Sequence, residues 1–322
     1  MIKRRVLGRT GFEVSEIGYG GWTIGNNGNN EYGDIDEREA AEVVETYIDK
    51  GGNFIDTARA YGERSERIIG SVISGHVDRE AVCIATKSKG GETAETIGEI
   101  RSDLEESLRL LRTDYVDVFQ LHMPPEDPDV MNRALDEMDE LKSEGKIRSL
   151  GASIKGVDVT ERTVDLCHQY MDTGRIDVIQ LVYSILRQKM RGVIRMAKEK
   201  NIGIIVRTSL ESGLLTGKYA PGHRFTGLDQ RRRYSQENLD FVLRTARELK
   251  EKAVRPPYQN LAQVAIRFAL EPDGVSTVIV GAHRVRNVQQ NVETDALPDL
   301  DPELVDMLKS EYGSITDKAN FT

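Results

Sequence analysis

Eight short apolar runs alternate with amphipathic helical stretches along 322 residues. Several of those runs end in a polar residue, and no Ser/Pro/Gly-rich linker or block of like charge interrupts the series. Together these features predict an α/β chain folded as a closed (β/α)8 TIM barrel, because parallel strands covered on both faces read as apolar without clean alternation. A barrel needs about 250 residues, so residues 1–322 are expected to form a single domain.

Segment 3–12 contains Gly8-Arg9-Thr10-Gly11, a turn signal that predicts a short N-terminal hairpin plugging the amino-terminal end of the barrel. The first strand is expected at Val14–Gly20. A helix follows at Glu37–Asp49, with Ala40, Val43, Val44, Tyr47 and Ile48 on one face. The second unit is Asn53–Asp56 and a helix near Ser65–Ile73. The third is Val82–Lys87 with Ala94–Leu111, and the fourth Tyr115–His122 with Val130–Ser143. The fifth is Ile147–Ser153 with Thr160–Tyr170, and the sixth Asp177–Tyr183 with Arg191–Lys200. The seventh strand, Ile202–Thr208, leads through a long loop to helices near Glu237–Ala253 and Leu261–Leu270. The eighth, Val275–Gly281, precedes helices near Arg286–Thr294 and Pro302–Tyr312.

Two loops exceed the usual length: residues 22–35, rich in Gly and Asn, and residues 217–236, which carry Arg224, Arg231, Arg232 and Arg233. Long loops in compact domains tend to be functional. Both leave carboxyl ends of strands, so both are expected to border a site.

Composition narrows the function. The longest apolar runs fall far short of the roughly 20 residues that span a bilayer. Met1–Gly8 lacks the apolar region of a signal peptide. Two cysteines, Cys83 and Cys167, give no disulfide framework and no metal spacing, which fits a reducing cytoplasm. A net charge of −9 argues against nonspecific nucleic-acid binding. These observations leave the function to be read from the polar residues at the strand ends.

Its chemistry is suggested by four residues. Asp56 ends Asn53-Phe54-Ile55-Asp56, Tyr61 follows five residues on, Lys87 ends the third strand and His122 the fourth. Reducing a carbonyl by hydride builds negative charge on its oxygen, which needs a proton. A tyrosine has a reference pKa of about 10, and a nearby ammonium lowers it. Tyr61 is the candidate donor, Lys87 the ammonium, Asp56 its counterion, and His122 a group that orients the carbonyl. Taken singly, each has an ordinary use: a helix cap, a solvated lysine, a loop histidine.

The segment Ile55-Asp56-Thr57-Ala58-Arg59-Ala60-Tyr61-Gly62 resembles the signature of the aldo-keto reductase family. So do Lys87, Leu121-His122, Leu108–Asp117 and Gly213-Leu214-Leu215-Thr216-Gly217-Lys218-Tyr219. The resemblance runs from Leu7 to about Asn291. It implies a barrel that binds a nicotinamide cofactor without a Rossmann domain. In keeping with that, Gly18-Tyr19-Gly20-Gly21-Trp22-Thr23 lacks the third glycine of a dinucleotide fingerprint. The resemblance places this segment under the cofactor, with Trp22 lining the pocket for cofactor and substrate; ordinary packing is its alternative use.

By the same resemblance, Ser153 and Gln180 hold the nicotinamide carboxamide, although Ile154 stands where an asparagine is usual. Arg207 occupies a position usually held by an aromatic residue stacked on the nicotinamide. It is expected to stack there, to hold an anionic substrate group, or to pair with Glu211 or another acid. Thr208, Ser209, Leu210, Ser212, Gly213 and Lys218 match the pyrophosphate loop, where small residues let backbone N–H groups approach. Gly281, His283 and Arg284, with Arg286 assisting, match the segment that takes the adenosine 2′-phosphate, followed on the last barrel helix by Asn287, Gln290 and Asn291. NADP(H) is therefore expected over NAD(H). Arg59 and Arg207 together suit a sugar-like or anionic carbonyl substrate, unless Arg59 pairs with Glu63 or Glu66. A cofactor-sensing regulatory or scaffold subunit, and a redox-neutral lyase or isomerase, are the competing classes. No metal site is expected.

Overall fold

The computed structural model describes residues 2–25, 35–154, 159–227, 229–313 and 315. Residues 26–34 of the Gly/Asn-rich loop and residue 228 of the second long loop lie outside the described residues. The chain opens with β1 (Arg4–Val6) and β2 (Glu13–Ser15), paired antiparallel. The barrel strands are β3 (Ile17–Gly20), β4 (Phe54–Asp56), β5 (Cys83–Ser88), β6 (Val116–Leu121), β7 (Ile147–Ser153), β8 (Val178–Val182), β9 (Gly203–Arg207) and β10 (Val275–Gly281). They are parallel and close into a ring in which β10 pairs with both β3 and β9.

Helices α1 (Glu37–Asp49), α2 (Glu63–His76), α3 (Glu99–Leu111), α4 (Pro128–Ser143), α5 (Glu161–Asp172) and α6 (Arg191–Glu199) each follow one of β3 to β8. After β9 come α7 (Gln236–Ala253) and α8 (Leu261–Leu270), and after β10 come α9 (Val285–Glu293) and α10 (Pro302–Tyr312). Side-chain oxygens start many of them. Asp36, Asp127, Ser235, Asn260 and Asp301 each accept from a first-turn N–H, and Pro128 and Pro302 occupy positions that have no donor to lose.

Two predicted elements divide. The run Val14–Gly20 splits at Glu16, whose carboxylate turns aside to meet Arg5 Nε at 2.7 Å and Arg267 Nη1 at 3.5 Å. Its first half joins the hairpin and its second half the barrel. The stretch Ala94–Leu111 breaks around Gly98 into a 3-10 turn (Ala94–Thr96) and α3, as glycine's poor helix propensity allows.

The hairpin does plug the barrel. Leu7 and Val14 pack with Phe54, Cys83, Ala85, Val118, Val178 and Ile205 in a cluster separate from the apolar layer under the helices. Gly8, at φ +52, lies so close to β9 that a Cβ there would sit 2.2 Å from Gly203 N.

This plug fixes what lies above it. Side chains on one face of a strand recur every second residue. Two positions beyond Phe54, Ala85, Val118, Val178 and Ile205 stand Asp56, Lys87, Gln120, Gln180 and Arg207. Sheet closure therefore gathers acid, ammonium, amides and guanidinium into the next layer, at the carboxyl end of the strands.

Candidate active site

Three strand ends build the catalytic cluster. Lys87 Nζ, fully buried, donates to Asp56 Oδ1 at 2.6 Å, to the Thr57 carbonyl at 2.7 Å and to Tyr61 Oη at 3.1 Å. An ammonium has three donors, so each is used. Asp56 Oδ2 accepts from Gln180 Nε2 at 2.7 Å and Gln120 Nε2 at 3.3 Å. Gln120 reaches across because Gly151 opposite it has no side chain; a Cβ there would meet Gln120 Cγ at 2.7 Å. The Tyr61 ring lies between Trp22, stacked at 5.8 Å, and His122, edge-on at 5.7 Å.

The electrostatics refine the expected roles. Burial raises the Tyr61 pKa and Asp56 adds to this, while Lys87 only offsets part of it. The sequence reading of a lowered phenol pKa is thus corrected: desolvation outweighs the ammonium. Burial acts to lower the Lys87 pKa, but Asp56 and Tyr61 together carry it above its usual value. Burial, then Lys87, Arg207 and Lys89, push the His122 imidazole down to about 3, so the ring is neutral. A neutral imidazole can orient a carbonyl oxygen but holds no spare proton to give.

The remaining predicted residues divide by place. Ser153 Oγ donates to Gln180 Oε1 at 3.4 Å, while Gln180 spends its NH₂ on Asp56 and Gln120. Arg59 is committed to Glu66 at 2.9 Å, with Asp103 at 4.0 Å, so the Glu66 alternative holds for it. Arg207 does not pair with Glu211. It donates to the Ile154 carbonyl at 3.0 Å and to Thr208 Oγ1 at 3.4 Å. Burial brings its pKa down to about 10, which leaves it a cation at neutral pH.

Beyond β9 the backbone is left-handed at Thr208 (φ 63), Glu211 (φ 48), Ser212 (φ 54) and Gly213 (φ 85). A β-branched threonine there is an outlier, and such strain persists only where surroundings impose it. Glu211 is clamped by buried Arg187, at 2.9 Å to Nε and 2.5 Å to Nη2, and by Ser184. Arg231, buried in the second long loop, donates to the Ser212 carbonyl at 3.2 Å and to Asp229. Within the turn the Glu211 N–H donates to the Thr208 carbonyl and the Gly213 N–H to the Leu210 carbonyl, each at 2.9 Å, so the left-handed backbone is held closed by its own hydrogen bonds. Ser209 is buried beside it, Leu210 is half-buried, and Lys218 stands exposed over the Tyr219 ring at 4.8 Å.

The β10 end is pinned by the Ala282 carbonyl, which accepts from Tyr19 Oη at 3.0 Å and Thr23 Oγ1 at 2.8 Å. Gly281 leaves room for Thr23, whose methyl would lie 2.6 Å from a Cβ. α9 starts without a side-chain cap, so its first N–H groups face outward with the positive end of the helix dipole. His283 has its pKa lowered by burial, then by Lys218 and Arg284. Arg284 pairs with Glu39. On α9, Asn287 and Asn291 stand half-buried one turn apart, with Gln290 exposed between them. The strained turn, the uncapped helix and the cations around them suit a dinucleotide's phosphates. Among the described residues no group of three or more His, Cys, Asp or Glu gathers to hold a metal.

Sequence reading gave no role to Thr57, Gln120, Arg187, Thr23 and Glu39, and placed Arg231 only in a loop expected to border the site. Gln120 was detectable, since it precedes His122 by two and so shares its face. The others meet their partners only through tertiary packing.

A parallel barrel with this phenol–ammonium–carboxylate–imidazole cluster beside a strained turn fits an oxidoreductase of the barrel type. The sequence model of the Aldo/keto reductase family matches residues 16–312, and the chain belongs to that family. An aldo-keto reductase of Bacillus subtilis, YhdN, is 31% identical over 291 residues, covering 85% of this chain and 83% of the relative. The NADH-specific methylglyoxal reductase of Escherichia coli is 29% identical over 315 residues, covering 90% and 93%. Among solved structures, the holo form of aldo-keto reductase AKR11C1 from Bacillus halodurans superposes with a TM-score of 0.76 at 25% identity, covering 97% of this chain and 100% of that one. Aldo-keto reductases use a nicotinamide cofactor. No described helix is long and apolar enough to cross a membrane.

Proposed function

We propose that residues 1–322 act as one barrel domain that reversibly reduces an aldehyde or ketone to an alcohol with NADP(H), Tyr61 giving the proton. The observation that carries this reading is the saturation of Lys87. Its third N–H is spent on Tyr61 Oη, so the phenol oxygen accepts from below and its own proton is left for a carbonyl oxygen at the mouth. When bound, a nicotinamide would supply the hydride that the carbonyl carbon takes up. Neutral His122 steers the carbonyl oxygen toward Tyr61, and Trp22 covers the phenol's other face. As charge grows on that oxygen, Lys87 stabilises the phenolate left behind, with Asp56 holding the ammonium in place.

The residues suited to the cofactor are Thr208, Ser209, Leu210, Ser212, Gly213 and Lys218 for the pyrophosphate. Gly281, His283, Arg284, Asn287, Gln290 and Asn291 suit the adenosine end, and Ser153, Gln180 and Arg207 the nicotinamide. Two cations that act on His122 besides the saturated Lys87, namely Arg207 and Lys89, favour a sugar-like carbonyl substrate or one bearing negative charge. Two free, buried thiols suit a reducing cytoplasm.

Tyr61→Phe tests the mechanism. Turnover of a panel of charged and neutral aldehydes is expected to fall about 10²–10⁴-fold, while cofactor affinity stays within about twofold. Undiminished turnover would refute the assignment.

A further inference from the structure

We propose that Glu39 sets cofactor choice: its carboxylate, held against Arg284, opposes a 2′-phosphate and lets the site accept a ribose that carries none. This rests on the reading of residues 281–291 as the adenosine end of the site.

Glu39 is well placed for such a role. It lies in the first turn of α1, where its backbone N–H is tied to Asp36 Oδ1 at 2.7 Å. α1 packs against α9, and the Glu39 side chain, half-buried, crosses to Arg284 Nη1 at the start of α9. The same carboxylate acts on His283 in the sense opposite to Lys218, Arg284 and Arg231. One acid from a distant helix thus faces the cations expected to receive a phosphate.

Chemistry then decides what the acid does. A guanidinium has five N–H donors and can hold two anions at once, and Glu39 occupies Nη1 of Arg284. A 2′-phosphate gripped by another edge of Arg284 would share its cation with Glu39 and lie close to that carboxylate as a like charge. A ribose with a free 2′-hydroxyl meets no such conflict, and a carboxylate is the usual acceptor for that hydroxyl in dinucleotide sites. The pair is not deeply buried, so the bias is modest and screened by salt. The geometry points to an enzyme that binds both cofactors, with its preference for the phosphorylated one held down by Glu39.

The test is cofactor binding by quenching of the single tryptophan, Trp22, at the mouth. It needs no substrate. Glu39→Gln keeps the shape and leaves the Asp36 cap on its backbone. It is expected to tighten NADPH about two- to fivefold at low salt, given the strength of exposed ion pairs, and to leave NADH unchanged or weaken it. The gain should shrink as salt rises. In an Arg284→Ala background the same substitution should tighten NADPH much less. An unchanged NADPH-to-NADH ratio in a variant with wild-type thermal stability would overturn the role of Glu39 alone. If neither cofactor bound the wild-type protein, the dinucleotide reading itself would fall, and with it this inference.

Discussion

The two ends of the barrel treat charge differently. At the amino-terminal end, Asp117 and Asp177 are each matched by basic groups and a neighbouring backbone N–H. Asp117 accepts from Ile84 N at 2.9 Å, Arg79 at 2.8 Å and Arg148 at 3.1 Å. Asp177 accepts from Leu150 N at 3.0 Å, with Lys142 at 3.1 Å and Arg9 at 3.2 Å. At the carboxyl-terminal end, Asp56 is equally well bonded, but Arg207 is half-buried with a carbonyl and a hydroxyl for partners, and four consecutive or near neighbours hold left-handed backbone. One end is built to be complete. The other keeps a cation and a strained turn in readiness, which is how a barrel separates stability from activity.

Substitutions at the two ends should therefore fail in different ways. The largest effect is expected for Lys87→Met, at the catalytic end. It leaves Asp56 buried without its ammonium and Tyr61 without its stabiliser. Single-turnover reduction should slow about 10²–10⁴-fold, and denaturant melts should show a loss of about 3–5 kcal/mol. Next is Asp117→Ala at the opposite end. Two partly exposed guanidiniums and one buried N–H lose their acceptor, so stability should fall by about 2–3 kcal/mol with kcat unchanged; a matching loss of kcat would erase the division between ends. A smaller effect is expected for Thr208→Gly. It relieves a strained threonine and should leave stability equal or raise it by about 1 kcal/mol, while cofactor affinity weakens severalfold as the turn loosens; both are read by thermal melts with and without cofactor.

The smallest expected effect is a flat line. Tyr61 must stay protonated to donate, and its raised pKa means that form is lost only as pH climbs above the usual tyrosine range. His122, at about 3, is already neutral throughout. The kcat/KM for reduction should hence vary little between about pH 6 and pH 9. A limb near the ordinary histidine value would show that His122 titrates in the working enzyme.

Much of this architecture was legible in the chain. The bounds of α1, α10, β7 and β10 coincide with those expected, because caps, prolines and unbroken apolar runs mark them locally. The four candidates that the structure brings together, Asp56, Tyr61, Lys87 and His122, were legible because each ends or follows a strand. What escaped was orientation. Gln180 stands by position among the residues suited to the nicotinamide, and only the closed sheet shows that its amide also donates to Asp56. Arg187 and Glu211 lie 24 residues apart, and nothing in either neighbourhood announces that they clamp one turn. Glu16 reads as one polar residue in an apolar run, and its partners Arg5 and Arg267 are what divide that run.

The seam between β10 and β3 bears on how the molecule is made. Arg5 reaches the carbonyls of Leu270 and Val275, and Ser276 Oγ reaches that of Val6. During synthesis the early hairpin must wait, its partners still unmade, until more than two hundred further residues have left the ribosome. Such long-range pairing is slow to form. For that interval β3 offers a bare edge to any neighbouring chain, so yield in the cell should respond to chaperone supply more than the finished ring would suggest.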